Sequence, residues 1–218
     1  MLILENNDIL NLRKKLFETI KQSNIVHFHE KFYENKNKAA YWKFATDEMF
    51  MPIPFYHELH KLKKGRILKF NSIDEAFDKN NNYTDHTHAF GFSRDGSLLI
   101  MMRKSLGYIN GIDCTVYDNI NNAIEYFHFV TFSNDSSKDK LMSVNTLTGI
   151  DDNFQYDVGV GSNRFNWTAT AYKYKEDLVD KVFVYSEGWK AQVEYNFEYE
   201  KDTLKKIKIG TVDWWKKK

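Results

Sequence analysis

Cysteine is nearly absent. Cys114 is the sole thiol in 218 residues, which excludes an intrachain disulfide framework and any metal site built from several cysteines. Its setting, Ile112-Asp113-Cys114-Thr115-Val116, reads as a strand, so a buried, inert thiol is expected. Proline and glycine are scarce, at two and ten residues. No flexible linker of the usual composition stands out, and a single domain over 1–218 is expected. No apolar run reaches the length of a membrane-spanning helix. The opening MLILENNDILNLRKK lacks a basic n-region and a continuous apolar stretch, so a cytoplasmic location is expected.

Charge of one sign is also missing. The chain has 31 basic and 30 acidic side chains, a formal net charge of +1. No global field draws the chain to nucleic acid, and no nucleic-acid partner is expected. Two local lysine groups, Lys61/Lys63/Lys64/Arg66 and Lys205/Lys206/Lys208, read as a solvated helix end and a solvated strand face. The Trp214-Trp215-Lys216-Lys217-Lys218 tail reads as a docked C-terminus.

Catalytic signatures are lacking too. There is no G-x-S-x-G elbow, no P-loop and no dinucleotide-binding glycine pattern. Gly159-Val160-Gly161 has two glycines, too few for a phosphate cradle.

What the chain does have is a globular balance, with 42% hydrophobic, 16% aromatic and 28% charged residues. The clearest pattern is WKAQVEYNFEYE, Trp189 to Glu200. Trp189, Ala191, Val193, Tyr195, Phe197 and Tyr199 alternate with polar residues, which predicts a half-buried strand whose aromatic side belongs to the core. Further strands are expected at 66–70, 88–93, 97–103, 106–109, 112–117, 124–132, 141–147, 165–174, 181–185 and 204–209. Short polar turns between them, such as Arg94-Asp95-Gly96 and Asn110-Gly111, favour antiparallel neighbours. Tyr195-Asn-Phe-Glu-Tyr199 followed by Leu204-Lys-Lys-Ile207 resembles the tyrosine-rich hairpins of bacterial surface repeat proteins, but it occurs once and implies no array.

The N-terminal part reads differently. Ile9, Leu12, Leu16 and Ile20 recur at helical spacing, with Asp8 as the expected cap. Residues 25–33 fit either a strand or a short helix, and 38–50 are expected to form a second helix with an aromatic side. The fold class is therefore α+β: N-terminal helices packed on a largely antiparallel, strongly curved β-sheet or partial barrel, with 1–65 mainly helical and 66–218 mainly β.

The functional reading starts from compactness and the lack of a complete catalytic motif. It is a stoichiometric protein-binding module of a bacterial toxin-neutralising or immunity type, acting by occlusion of a cognate toxin's active site. Its expected interface lies in the 149–163 region, where Asp151, Asp152, Asn153, Tyr156 and Asp157 would meet a basic partner. That reading needs no cofactor. The alternative is a small metal-assisted hydrolase. His57/His60 and His86/His88 would supply ligands for a divalent metal, with Asp85 or Glu58 beside them. HELH at 57–60 is one residue short of the HExxH zinc spacing. A second alternative is a domain that holds a small apolar ligand between helices and sheet.

Overall fold

The computed structural model describes residues 1–78, 86–108, 110–120, 122–132, 135–151, 153–163 and 166–217. Two amphipathic helices open the chain, α1 (Asn7–Gln22) and α2 (Ile25–Lys38). Each starts on an asparagine whose side-chain oxygen accepts from an otherwise unpaired helix N–H: Asn6 from Ile9 at 3.0 Å and Asn24 from His27 at 3.1 Å. The cap of α1 is thus Asn6, two residues earlier than the expected Asp8. The 25–33 segment resolves as helix, because Phe28, Phe32 and Asn35 fall on one buried face at helical spacing.

Among the described residues the strands form one antiparallel sheet of 13 in the order β13-β12-β11-β10-β9-β8-β7-β6-β5-β4-β3-β1-β2. From β3 (Thr87–Phe92) the chain pairs each strand with the next: β4 (Leu98–Lys104), β5 (Gly111–Ile120), β6 (Ala123–Phe132), β7 (Lys140–Leu147), β8 (Phe154–Gly161), β9 (Trp167–Lys175), β10 (Leu178–Ser186), β11 (Val193–Glu200), β12 (Thr203–Ile209) and β13 (Val212–Lys216). β1 (Tyr41–Thr46) lies between β3 and the two-residue β2 (Ile67–Leu68). The architecture is α+β with strand dominant, and the sheet is open rather than closed into a barrel. Two four-residue helices, α3 (Tyr56–Leu59) and α4 (Ile73–Ala76), complete the elements used below. Among the described residues no helix is long and apolar enough to cross a membrane.

Both faces of the sheet are covered over much of its width. On one face α1 and α2 pack against Met102, Cys114, Phe127, Phe129, Val144 and Val158. Phe28 meets Phe127 edge-on with ring centroids 4.9 Å apart, and Phe32 meets Phe129 at 5.3 Å. Asn35 is a buried polar group in this layer. Its amide donates to the carbonyls of Leu99 at 3.2 Å and Tyr117 at 3.0 Å. Leu99 is the extra residue where the β3–β4 register slips, so Asn35 satisfies an acceptor that the ladder leaves over.

The opposite face is covered by the segment 47–62. Met49, Phe50 and Met51 sit on Phe90, Phe92, Met101 and Tyr117. Phe55 and Leu59 sit on Tyr172, Val182, Tyr195 and Phe197. The two prolines, Pro52 and Pro54, lie in this segment, which crosses the strands instead of joining the ladder.

Several expectations change. Residues 41–46 are a strand, not part of a helix over 38–50. Phe44 and Ala45 are consecutive and both buried, because helices cover one face and the 47–62 segment the other. The two long helices therefore end at Lys38, and the short α3 follows before residue 65. The 106–109 stretch is not a strand over its described residues 106–108. The Trp189 stripe begins its ladder only at Val193, with Trp189 46% exposed in the preceding turn. Tyr195 and Phe197 are core, as the alternation predicts.

Candidate functional site

The loop between β7 and β8 is short and tightly held. Thr148 N donates to Tyr156 O at 2.8 Å, and Tyr156 N donates back to Thr148 Oγ1 at 2.9 Å. Asp151 and Phe154 exchange backbone hydrogen bonds at 2.8 and 2.6 Å. Asn153 takes the left-handed conformation, φ 65°, that closes this turn, and its carbonyl accepts from Tyr174 N at 2.7 Å. Gly149 lies so close to the β5–β6 turn that a Cβ there would fall 2.5 Å from Asn122 O.

These hydrogen bonds hold the loop at both ends, and loop side chains face solvent between them. Ile150 is 56% exposed and Asp151 is exposed beside it. A groove lies on each side. One, of about 620 Å³, runs toward the β5–β6 turn past Asn119, Asn122 and Ile124. The other, of about 470 Å³, runs toward α1 past Asp8, Asn11 and Lys15.

The residues expected at a protein interface separate here. Asp151 and Asn153 are exposed, and Asp152 lies outside the described residues. Tyr156 turns to the helical layer, where Asn6 Nδ2 donates to its hydroxyl at 3.4 Å. Asp157, next along β8, points to the other face of the sheet. Its carboxylate accepts from Tyr126 Oη at 2.8 Å, and burial pushes its pKa up to about 6.

A second set of polar groups lies beneath the 47–62 segment. Arg103 on β4 and Asp113 on β5 are cross-strand partners, with Nε donating to Oδ2 at 3.2 Å. Glu48 approaches the same guanidinium at 3.8 Å and accepts from the Tyr56 hydroxyl. His128, on β6, shares their cavity. Burial holds the imidazoles of His60, His88 and His128 below the usual histidine pKa, so they favour the neutral form. The sequence gives no sign of this set, since cross-strand register is not visible in residue spacing. Chemically, a neutral imidazole could accept a proton. The cavity is only about 160 Å³ and is lined in part by Met51 and Met101. That is well under the roughly 300 Å³ at which ligand pockets begin, and the cluster reads as a partly buried polar network joining sheet to segment.

The two histidine pairs sit on different elements. His57 and His60 share α3 and its C-cap, with His60 tilted on the Tyr56 ring at 4.7 Å. His86 is exposed ahead of β3, while His88 is buried with Nδ1 3.2 Å from His86 O. Asp85 lies outside the described residues. Among the described residues no group of three or more His, Cys, Asp or Glu side chains could hold a metal ion together.

Against this geometry, no family model matches the chain, and neither a curated protein nor a solved structure does.

Proposed function

We propose that this chain is a stoichiometric protein-binding module that presents the 148–153 loop to a partner, in the manner of a bacterial toxin-neutralising or immunity protein. The observation that carries the reading is a loop with an exposed apolar tip, Ile150, and an exposed carboxylate, Asp151, between two grooves. Such a ridge gives a partner one apolar anchor and two recesses for its own side chains. The acid steers a basic partner, and a neutraliser works by covering that partner's active site without turnover.

The test is a binding titration with the cognate protein, first captured on the tagged full chain and then purified. A fixed stoichiometry is expected, together with loss of at least tenfold in affinity for Ile150→Glu and for Asp151→Lys at unchanged thermal stability. Wild-type affinity in both variants would place any interface elsewhere. Asp157→Asn should leave the affinity unaltered, because Asp157 faces away from the ridge.

A further inference from the structure

The two basic segments that are separate in the sequence meet in space. The loop after α3 and the end of β13 form the walls of a groove of about 770 Å³. Lys61, Lys63, Lys64, Lys216 and Lys217 line it, against one carboxylate, Glu58. That is a local charge of +4, in a chain whose total is +1. Lys64 is 3.8 Å from Glu58, and Lys61 Nζ sits 3.7 Å from the centroid of the Trp214 ring. Lys63, Lys216 and Lys217 have no ion pair among the described residues. The near-neutral total therefore conceals a concentrated positive site.

The floor is aromatic. Successive strand residues ordinarily point to opposite faces. Here the β12–β13 register slips between Ile207 and Lys208, and Trp214 is the extra residue. Both Trp214 and Trp215 consequently line the groove, beside Phe55. Trp214 is fixed by its Nε1, which donates to Leu59 O at 2.9 Å, and by the edge of Tyr195. Trp215 is partly exposed.

We infer that this groove binds single-stranded nucleic acid. Phosphates lie along the lysines of the two walls and a base stacks at Trp215. Lysines on long exposed stems along a groove suit a repeating backbone, and an indole accepts any base. A free nucleotide is better held by converging backbone N–H groups at a glycine-rich loop or a long helix N-terminus. The groove offers only the four-residue α3. A duplex hides the base faces that the indole would need.

The experiment is fluorescence anisotropy of a 5′-labelled twelve-nucleotide oligothymidylate or oligouridylate with the full chain. Engagement of about four phosphates predicts a roughly 50-fold loss of affinity between 50 and 200 mM salt. Tryptophan emission should be quenched on binding. Lys63→Glu with Lys217→Glu should weaken binding at least tenfold at an unchanged melting temperature. If that pair unfolds the chain, Lys63→Ala with Lys217→Ala should still weaken it several-fold. Trp215→Leu should lower affinity roughly tenfold while keeping the salt slope. The inference is overturned by no binding at 50 mM salt or by lysine variants that bind as wild type. It is equally overturned if polyglutamate of equal charge, the matching duplex or ATP binds as tightly as the single strand.

Discussion

Asp157→Asn should make this protein more stable at neutral pH, and the gain should vanish in acid. The carboxylate of Asp157 sits on the sheet face away from α1 and α2, with Tyr126 Oη at 2.8 Å as its hydrogen-bond donor. Burial pushes its pKa from the ordinary 3.8 to about 6, and the Tyr126 bond offsets only part of that. A carboxyl with a raised folded pKa keeps its proton longer in the folded chain. Between about pH 4 and pH 6 the unfolded state then binds fewer protons, so stability falls as pH rises and levels off above 6. A shift of about two units corresponds to a penalty of up to about 3 kcal/mol at pH 7.5. Asparagine removes the partly buried charge and still offers Tyr126 an acceptor oxygen. Urea melts at pH 4, 5, 6 and 7.5 measure the difference directly. The variant should gain up to about 3 kcal/mol at pH 7.5 and match the wild type within about 0.5 kcal/mol at pH 4. A variant that is less stable at pH 7.5, or a difference that does not change with pH, would refute the assignment of a raised pKa.

Three other outcomes are expected. Asn35→Ala strands the carbonyls of Leu99 and Tyr117 and should cost about 1–3 kcal/mol in a denaturant melt at pH 7; a loss under about 0.5 kcal/mol would mean that water replaces the amide at little cost. Gly159→Ala places a Cβ 2.1 Å from Asn145 Oδ1 and should cost about 1–3 kcal/mol. Asn145→Ala should recover most of that loss in a double-mutant cycle, and simple additivity of the two changes would exclude the clash. Cys114 is fully buried and its thiol is held well above its usual pKa by that burial, so a thiol reagent should label it only as fast as the sheet opens. Rapid labelling under native conditions would contradict this placement.

The meander was legible wherever one face of a strand is wet. Val193–Glu200 shows this, since its polar positions stay outside the core and leave the alternation intact. Strand β1 was not legible, because consecutive Phe44 and Ala45 are both buried and Ala39-Ala40 with nearby aromatics mimics a helical face. β8 was obscured by Gly159 and Gly161, which punctuate the stretch and interrupt its apolar alternation. Gly159 stands in the ladder, where the Asn145 side chain occupies the space its own would fill. Once β8 is known, period two alone sends Asp157 to the face opposite Val158 and Val160. At the proposed interface, Asp151 and the loop position were readable from composition, but the exposed tip at Ile150 and the two flanking grooves depend on how the loop packs beside Asn122 and α1. The basic groove was half legible. Its lysines are plain in the sequence, but their meeting depends on Leu59 and Trp214 being hydrogen-bonded across 155 positions.

An open sheet has two unpaired rims, and a broad one is a hazard in a crowded solution, where a foreign strand can add to either side. Here each rim is blunted in its own way. At one end β2 is only two residues long, too short to template a partner. At the other, the irregularity at Trp214 breaks the flat row of hydrogen-bonding groups, and Lys216 and Lys217 place charge where a neighbouring copy would dock. The thirteen strands therefore end in two poor seeds for fibre growth, and the molecule keeps a wide sheet without offering it for extension.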